Sequence, residues 1–256
     1  MQMSDKPRDP VKTTERSIEI LKLLQARDGM ELKEVATELE MALSTVHRHL
    51  STLLFHGFVV QSGSEYRIGL RFLDLGNYAR ESLDSFEVAK EQADTLADET
   101  GEKVRLIAVE NGMSVLLYRR MGDHPLRTAA RIGKRQRLHH LAAGKAILAE
   151  IQEERIERIL DRWGLSPKTE DTITDRDELF DELETVRGRG YALNLGESIE
   201  GLHAVGAAIH DETGKPVAAL SISGPASRLS RDYLVDELSE LLLSTIDEAE
   251  INMKYT

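Results

Sequence analysis

The stretch Leu43–Gly57, LSTVHRHLSTLLFHG, decides how the chain is read. Val46, Leu50, Leu53 and Leu54 fall at i, i+4, i+7 and i+8, one apolar stripe along a helix. At about 100° per residue the opposite face carries Ser44, Arg48, Ser51, Thr52 and Phe55. Small hydroxyls around one arginine suit a surface that must lie against DNA bases and phosphates. Upstream, Leu32, Val35, Ala36 and Leu39 mark a shorter amphipathic helix, and Glu40-Met41-Ala42 is the turn between the two. This is the spacing of a helix-turn-helix. Downstream, Phe58-Val59-Val60 and Tyr66-Arg67-Ile68 flank Gln61–Glu65, which predicts a short hairpin with glycine in its loop. That hairpin would be the wing of a winged helix-turn-helix.

Charge points the same way. The chain holds 45 acidic residues in 256, yet none from Met41 to Ser64. Carboxylates facing phosphate would weaken binding. The alternative is an amphipathic helix pair in an ordinary core, with Arg48 solvated.

The length allows one large or two ordinary domains. No apolar run approaches the ~18 residues needed to span a bilayer, and the polar N-terminus has no signal-peptide core, so a cytoplasmic protein is expected. The absence of cysteine excludes disulfides, thiolate catalysis and cysteine metal sites. Net charge is -12 and uneven: residues 1–70 hold 9 basic against 10 acidic side chains, the remainder 24 against 35. Acid excess, 22 arginines against 11 lysines and no cysteine suggest a salt-adapted cytoplasm, the alternative being an ordinary acidic protein.

Residues 1–12 read as a flexible tail. Thr13 or Thr14 can cap a first helix with the stripe Ile18, Leu21, Leu24 and Gln25, ending near Asp28-Gly29. Arg16, unfavourable for the dipole in its first turn, either reaches a phosphate or is simply exposed. Leu70–Leu83 reads as a connecting helix and Ser85–Thr100 as a second amphipathic one, ended by Gly101. Beyond it the period shifts towards 2. Val104–Val109 and Ser114–Tyr118 surround Asn111-Gly112, the strongest hairpin signal in the chain. A strand is expected at 126–130, then helices at 141–150, 153–162 and 175–189, the last capped by Thr174 or Asp175 and closed by Gly190. Strands follow at 191–194, 204–210 and 217–223, and a closing helix at Ser230–Ile251. The fold class is α+β on a mostly antiparallel sheet. The divisions are a tail over 1–12, a winged helix-turn-helix over 13–76 and an effector-binding and oligomerisation domain over 77–256.

From about Thr13 to Ile251 the sequence resembles the IclR family of transcriptional regulators. The matching pieces are ERSIEILKLL, LSTVHRHLSTLLFHGFV, YRIGLRFLDLG, TGEKVRLIAV, AAGKAILAE, RGRGYALNLGESIEGLHAVGAAI and VAALSISGP. Singly they are weak; in this order they are specific. The resemblance implies a winged helix-turn-helix joined by a linker helix to a GAF-like effector domain, and homodimers or homotetramers on palindromic double-stranded DNA operators. It also implies an effector pocket at Ala142, Ala143, Asn194, Ala204, Ser221 and Ser223. Some family members that respond to acids have aspartate where Asn194 stands and cysteine where Ala204 stands, so ligand identity does not carry over. Ser221 and Ser223 alternate along one strand and share a face. The effector would be a metabolite of carbon catabolism, an organic acid or a sugar derivative.

A second acid-free stretch, His124–Ala149, holds Arg127, Arg131, Lys134, Arg135, Arg137 and Lys145. It attracts an anionic effector, meets an acidic face of a neighbouring subunit, or is a solvated basic face. No catalytic set emerges. His139 and His140 are adjacent and do not easily share a metal, and His47 and His49 point to different sides of a helix. Neither SGS nor GKAIL is a phosphate-binding loop, and Ser221–Gly224 is not a nucleophile elbow. Glu197 and Glu200 pair as carboxylates or cap turns. The expected DNA contacts are Arg16, Ser44, Thr45, His47, Arg48, Ser51 and Thr52, with Ser62, Ser64 and Arg67 on the wing. No cofactor and no metal are expected. The competing reading is a small-molecule sensor that works through protein partners without specific DNA binding.

Overall fold

The computed structural model describes residues 9–123 and 131–253, so the strand expected at 126–130 and Arg127 lie outside the described residues. The chain packs into two compact units, one up to Arg80 and one from Glu81.

In the first unit α1 (Lys12–Arg27), β1 (Met30–Glu31), α2 (Leu32–Glu38) and α3 (Leu43–Phe55) precede β2 (Val59–Ser62) and β3 (Glu65–Ile68). The three strands form an antiparallel sheet in the order β1-β3-β2. Glu31 caps α2 in a reciprocal box with Glu34. Glu40, at φ 51°, turns the chain towards α3. Val35, Ala36, Val46, Leu50, Val59 and Tyr66 close one core with Ile20 and Leu24.

Three details differ from the sequence reading. Apolar residues surround α1, so periodicity alone did not fix its buried face: Ile20 points inward, whereas Ile18 is exposed and so is Gln25. No side chain caps α1; its cap is Val11 rather than Thr13 or Thr14. The wing turn contains only Gly63 and Ser64, so Gln61 and Ser62 belong to β2. α4 (Arg71–Glu81) then leaves with no buried residue, although the Phe72 ring packs at a tilt against Phe58, 4.9 Å between centroids.

The second unit opens with α5 (Phe86–Thr100). β4 (Lys103–Glu110) and β5 (Met113–Arg120) follow, joined through Asn111 and Gly112 at φ 52° and 75°, as a primed two-residue turn requires. Then come β6 (Arg135–Gln136), α6 (Ala142–Ala149), α7 (Glu153–Trp163), α8 (Arg176–Arg189), β7 (Ala192–Leu195), β8 (Leu202–His210) and β9 (Pro216–Pro225). The sheet is antiparallel in the order β6-β5-β4-β9-β8-β7. Asp175, not Thr174, caps α8 by accepting from the amides of Asp177 and Glu178.

Alternation along the strands separates two faces. Val104, Leu106, Val205, Ala207, Leu220 and Ile222 join the core that includes Leu96 and Leu242. Ile107, Leu116, Ala208 and Ala219 pack with Ala143 and Ile147 of α6 on the other. The closing segment is not one regular helix: α9 (Arg231–Tyr233), a π-turn at Leu234–Leu238 and α10 (Ser239–Met253) follow one another. Its buried residues Leu234, Leu238, Leu242 and Ile246 recur every four positions. A wider turn keeps Leu234 and Leu238 on one side, where 3.6 residues per turn would drift.

Candidate nucleic-acid interface and effector cavity

On α3, Ser44, Thr45, His47, Arg48 and Ser51 are exposed, and their side chains make no hydrogen bond or ion pair among the described residues. The Thr52 hydroxyl instead donates to the Arg48 carbonyl oxygen at 2.9 Å. His49 joins Ser17 of α1 at 2.8 Å, fixing α3 from behind. Phe55, 85% exposed, ends the bare face. The other expected contacts have internal partners: Arg16 with Glu19 at 2.8 Å, Arg67 with Glu65 at 2.9 Å, and Ser64 donating to Glu31 at 2.5 Å. Ser62 is exposed on β2. The structure therefore brings Ser44, Thr45, His47, Arg48 and Ser51 together as one open face and ties Arg16, Ser64 and Arg67 elsewhere.

In the second unit the strand register builds rows across the face beneath α6. Asn194 pairs with Ala204, Ala204 with Ser223, and Ser223 with Lys103. In the next row Gly206 pairs with Ser221, and Ser221 with Arg105. Gly206 is required for contact with the helix, because a Cβ there would lie 2.4 Å from the Ala143 backbone nitrogen. Under the first turn of α6 this leaves a small cavity of about 30 Å³ that opens to solvent. Ala142, Ala143, Asn194, Ala204, Ser221 and Ser223 all line it. So do Arg105, Lys134, Gln136, Ser114 and Ser198, which the sequence reading did not assign to a pocket. Lys134 belongs to the basic stretch that one reading sets against an anionic effector. For Arg105 the available signal was an arginine among the apolar residues of VRLIAV.

Among the described residues no carboxylate lines the cavity and no side chain caps α6, whose positive end lies there. Burial, and then Arg119, pushes the Arg105 pKa down, so an anion beside it would favour its charged form. Burial lowers the His140 pKa to about 4, with His139 adding to the shift. His140 is neutral near pH 7, and its carbonyl oxygen accepts from Asn194 Nδ2 at 2.6 Å.

The basic stretch does not form one surface. Lys145, 2% exposed, binds Glu197 at 2.6 Å and Glu182 at 3.2 Å, and Arg189 also reaches Glu182 at 3.2 Å. Arg135 donates to the Glu110 carbonyl oxygen and Arg137 to Ser166, and Arg131, Lys134 and Arg135 are exposed. Glu197 is 7% exposed, and burial raises its pKa despite Lys145. Its carboxylate turns to α6 rather than pairing with the exposed Glu200.

Two family models cover most of the chain: the IclR helix-turn-helix domain over residues 13–63, and the bacterial transcriptional regulator IclR C-terminal domain over 78–249. The chain belongs to the IclR family. It is a transcriptional regulator with a helix-turn-helix DNA-binding domain and an effector-binding domain, and not an enzyme. It is 31% identical over 242 residues to the probable HTH-type transcriptional regulator ArcR of Halobacterium salinarum, covering 93% of this chain and 92% of that one. It is 34% identical over 235 residues to the HTH-type transcriptional repressor AllR of Escherichia coli K12, covering 90% and 86%. The Thermotoga maritima IclR structure superposes with a TM-score of 0.78 at 29% identity, covering 94% of this chain and 98% of that one. Among the described residues no helix is long and apolar enough to cross a membrane.

Proposed function

We propose that this IclR regulator lays α3 in the major groove of an operator and releases or grips it in response to a small anionic metabolite held beneath α6. One observation carries the effector half: six positions from four separate segments line one cavity whose walls, among the described residues, hold Arg105 and Lys134 and no acid. On the DNA side, Arg48 contacts a base or phosphate, with Ser44, Thr45, His47 and Ser51 beside it. Arg67, Ser64 and Arg16 reach phosphate by exchanging their internal partners, and Thr52 and Ser62 flank the contact. Homodimers or homotetramers match a palindromic operator, and the protein works in the cytoplasm. Leu70, Leu73, Leu75 and Tyr78 are 83%, 59%, 46% and 74% exposed, an apolar run on and before α4 that a second copy would cover. The effector changes operator affinity only as far as it discriminates the two arrangements of subunits.

The test is fluorescence anisotropy of the full chain with a labelled duplex from upstream of its own gene, against a shuffled duplex, in moderate and molar KCl. Selective binding, weakened by salt through lost phosphate contacts, is expected. Genome-wide selection of bound fragments that recovers no preferred sequence would overturn the DNA reading. Ser221→Leu fills the cavity and is expected to abolish the response to effector while sparing DNA binding. A normal response would move the pocket elsewhere.

A further inference from the structure

We propose that the cavity selects small monocarboxylates that also carry a hydrogen-bond donor, with Asn194 Oδ1 receiving that donor. This rests on the effector-cavity reading above and adds a rule of selection to it.

Asn194 is 1% exposed and lines the cavity from β7, the edge strand. Its Nδ2 donates to the His140 carbonyl oxygen at 2.6 Å. A backbone carbonyl only accepts, so this bond sets which end of the amide faces it. Oδ1 is buried and has no hydrogen-bond partner among the described residues. Buried acceptors are ordinarily satisfied, and a ligand that enters without a donor leaves this one unmade. Rotating the amide does not solve the problem, because Oδ1 would then face the His140 carbonyl and two acceptors would meet in a buried site. Asn194 is thus committed as an acceptor.

The cationic end lies elsewhere on the same face. Along the register, β7 leads through β8 and β9 to β4, which carries Arg105. Three strand spacings separate the two backbones, about 14 Å, and the side chains reach inward from either end. Between them lie the small residues Ala204, Ser221 and Ser223. A carboxylate placed by Arg105, Lys134 and the start of α6 leaves the far end of the ligand against Asn194. Hydroxy, amino and amido acids satisfy both ends. Oxo acids leave Oδ1 unpartnered, and dicarboxylates set a second charge against it.

Isothermal titration calorimetry on the full chain tests the rule with hydroxy and oxo acids of matched shape. The pairs are lactate against pyruvate, 3-hydroxybutyrate against acetoacetate, and 4-hydroxypentanoate against 4-oxopentanoate. The hydroxy acid of the pair with matching length is expected to bind about tenfold or more tightly. Asn194→Leu is expected to level that pair. Equal affinity within every pair of the wild type, or preference for the oxo acid, overturns the donor rule and leaves the cavity assignment standing. Binding that persists unchanged in Ser221→Leu shows that the acids sit elsewhere and overturns the cavity assignment with it. If none of the six acids binds the wild type, the assignment to small acids falls. The wild-type comparison stands even where Asn194→Leu fails to fold.

Discussion

Replacing Lys145 by methionine tests whether the ion pair behind α6 holds the second unit together. Lys145 and Glu197 are 2% and 7% exposed, and Glu197 Oε1 lies 2.6 Å from the ammonium. Methionine fills much the same space, so the loss is electrostatic rather than a cavity. Glu197 then has two choices at pH 7: to stay charged in a buried site with no cation, or to take up a proton. Burial already pushes its pKa upward, and Lys145 is the largest influence opposing that shift. Protonation sets the ceiling. From an ordinary pKa of 4.5 to pH 7 it costs about 3.4 kcal/mol, at 1.36 kcal/mol per pH unit. The variant is therefore expected to lose up to about 3 kcal/mol, at the low end of the range for a buried pair stripped of one partner. Urea unfolding followed by Trp163, the chain's single tryptophan and part of this unit, reads the loss directly. With its folded pKa raised, Glu197 binds more protons folded than unfolded. The variant's deficit should therefore grow as pH rises from 4.5 to 7 and shrink below that range. The double variant Lys145→Met/Glu197→Leu should recover much of the loss. A deficit below about 1 kcal/mol, or one independent of pH, would refute the reasoning.

Arg48→Ala should weaken operator binding by ~1–3 kcal/mol without changing effector affinity; anisotropy showing unchanged operator affinity would mean that α3 docks differently. Between pH 6.5 and about 4 unfolded His140 takes a proton that the folded form refuses, so falling pH removes stability across that window, about 3 kcal/mol in full. His140→Gln should flatten the dependence of the urea midpoint there, and an unaltered slope would count against the buried neutral imidazole. Gly206→Ala forces its Cβ to 2.4 Å from the Ala143 nitrogen, so a loss of about 1–3 kcal/mol is expected; an unchanged unfolding midpoint would show that α6 can lift.

The sequence made the second helix of the helix-turn-helix legible because Leu43–Phe55 is amphipathic, is flanked by turn signals and carries no acid. The hairpin at Asn111-Gly112 was equally readable, since a primed turn asks for those residues. The cavity was legible only in part. Ala142, Ala143 and Ala204 mean nothing by local chemistry, and the family resemblance supplied them. Arg105 belongs to a strand whose partner β9 lies far away in sequence, so only the register brings it to Ser221, and Ser114 reaches the same cavity from β5. The basic run at 124–149 was legible only in part for a related reason: charge counted along a chain does not say which way a side chain turns, and Lys145 turns inward to Glu197 while Lys134 lines the cavity. β1 and β6 are two residues each and carry no period to detect.

Every residue of α6, from Ala142 to Ala149, is buried. A helix with no solvent face has no position where change is free, so substitution along it should register first as lost folding. In the cavity proposed for the effector, new ligand preferences are then reachable through the strands beneath, at Asn194, Ala204, Ser221 and Ser223, where side chains can vary without disturbing a backbone contact such as that at Gly206. The helix is a fixed lid and the sheet an exchangeable floor. In such a scaffold, specificity can drift between relatives while the machinery around the lysine stays the same.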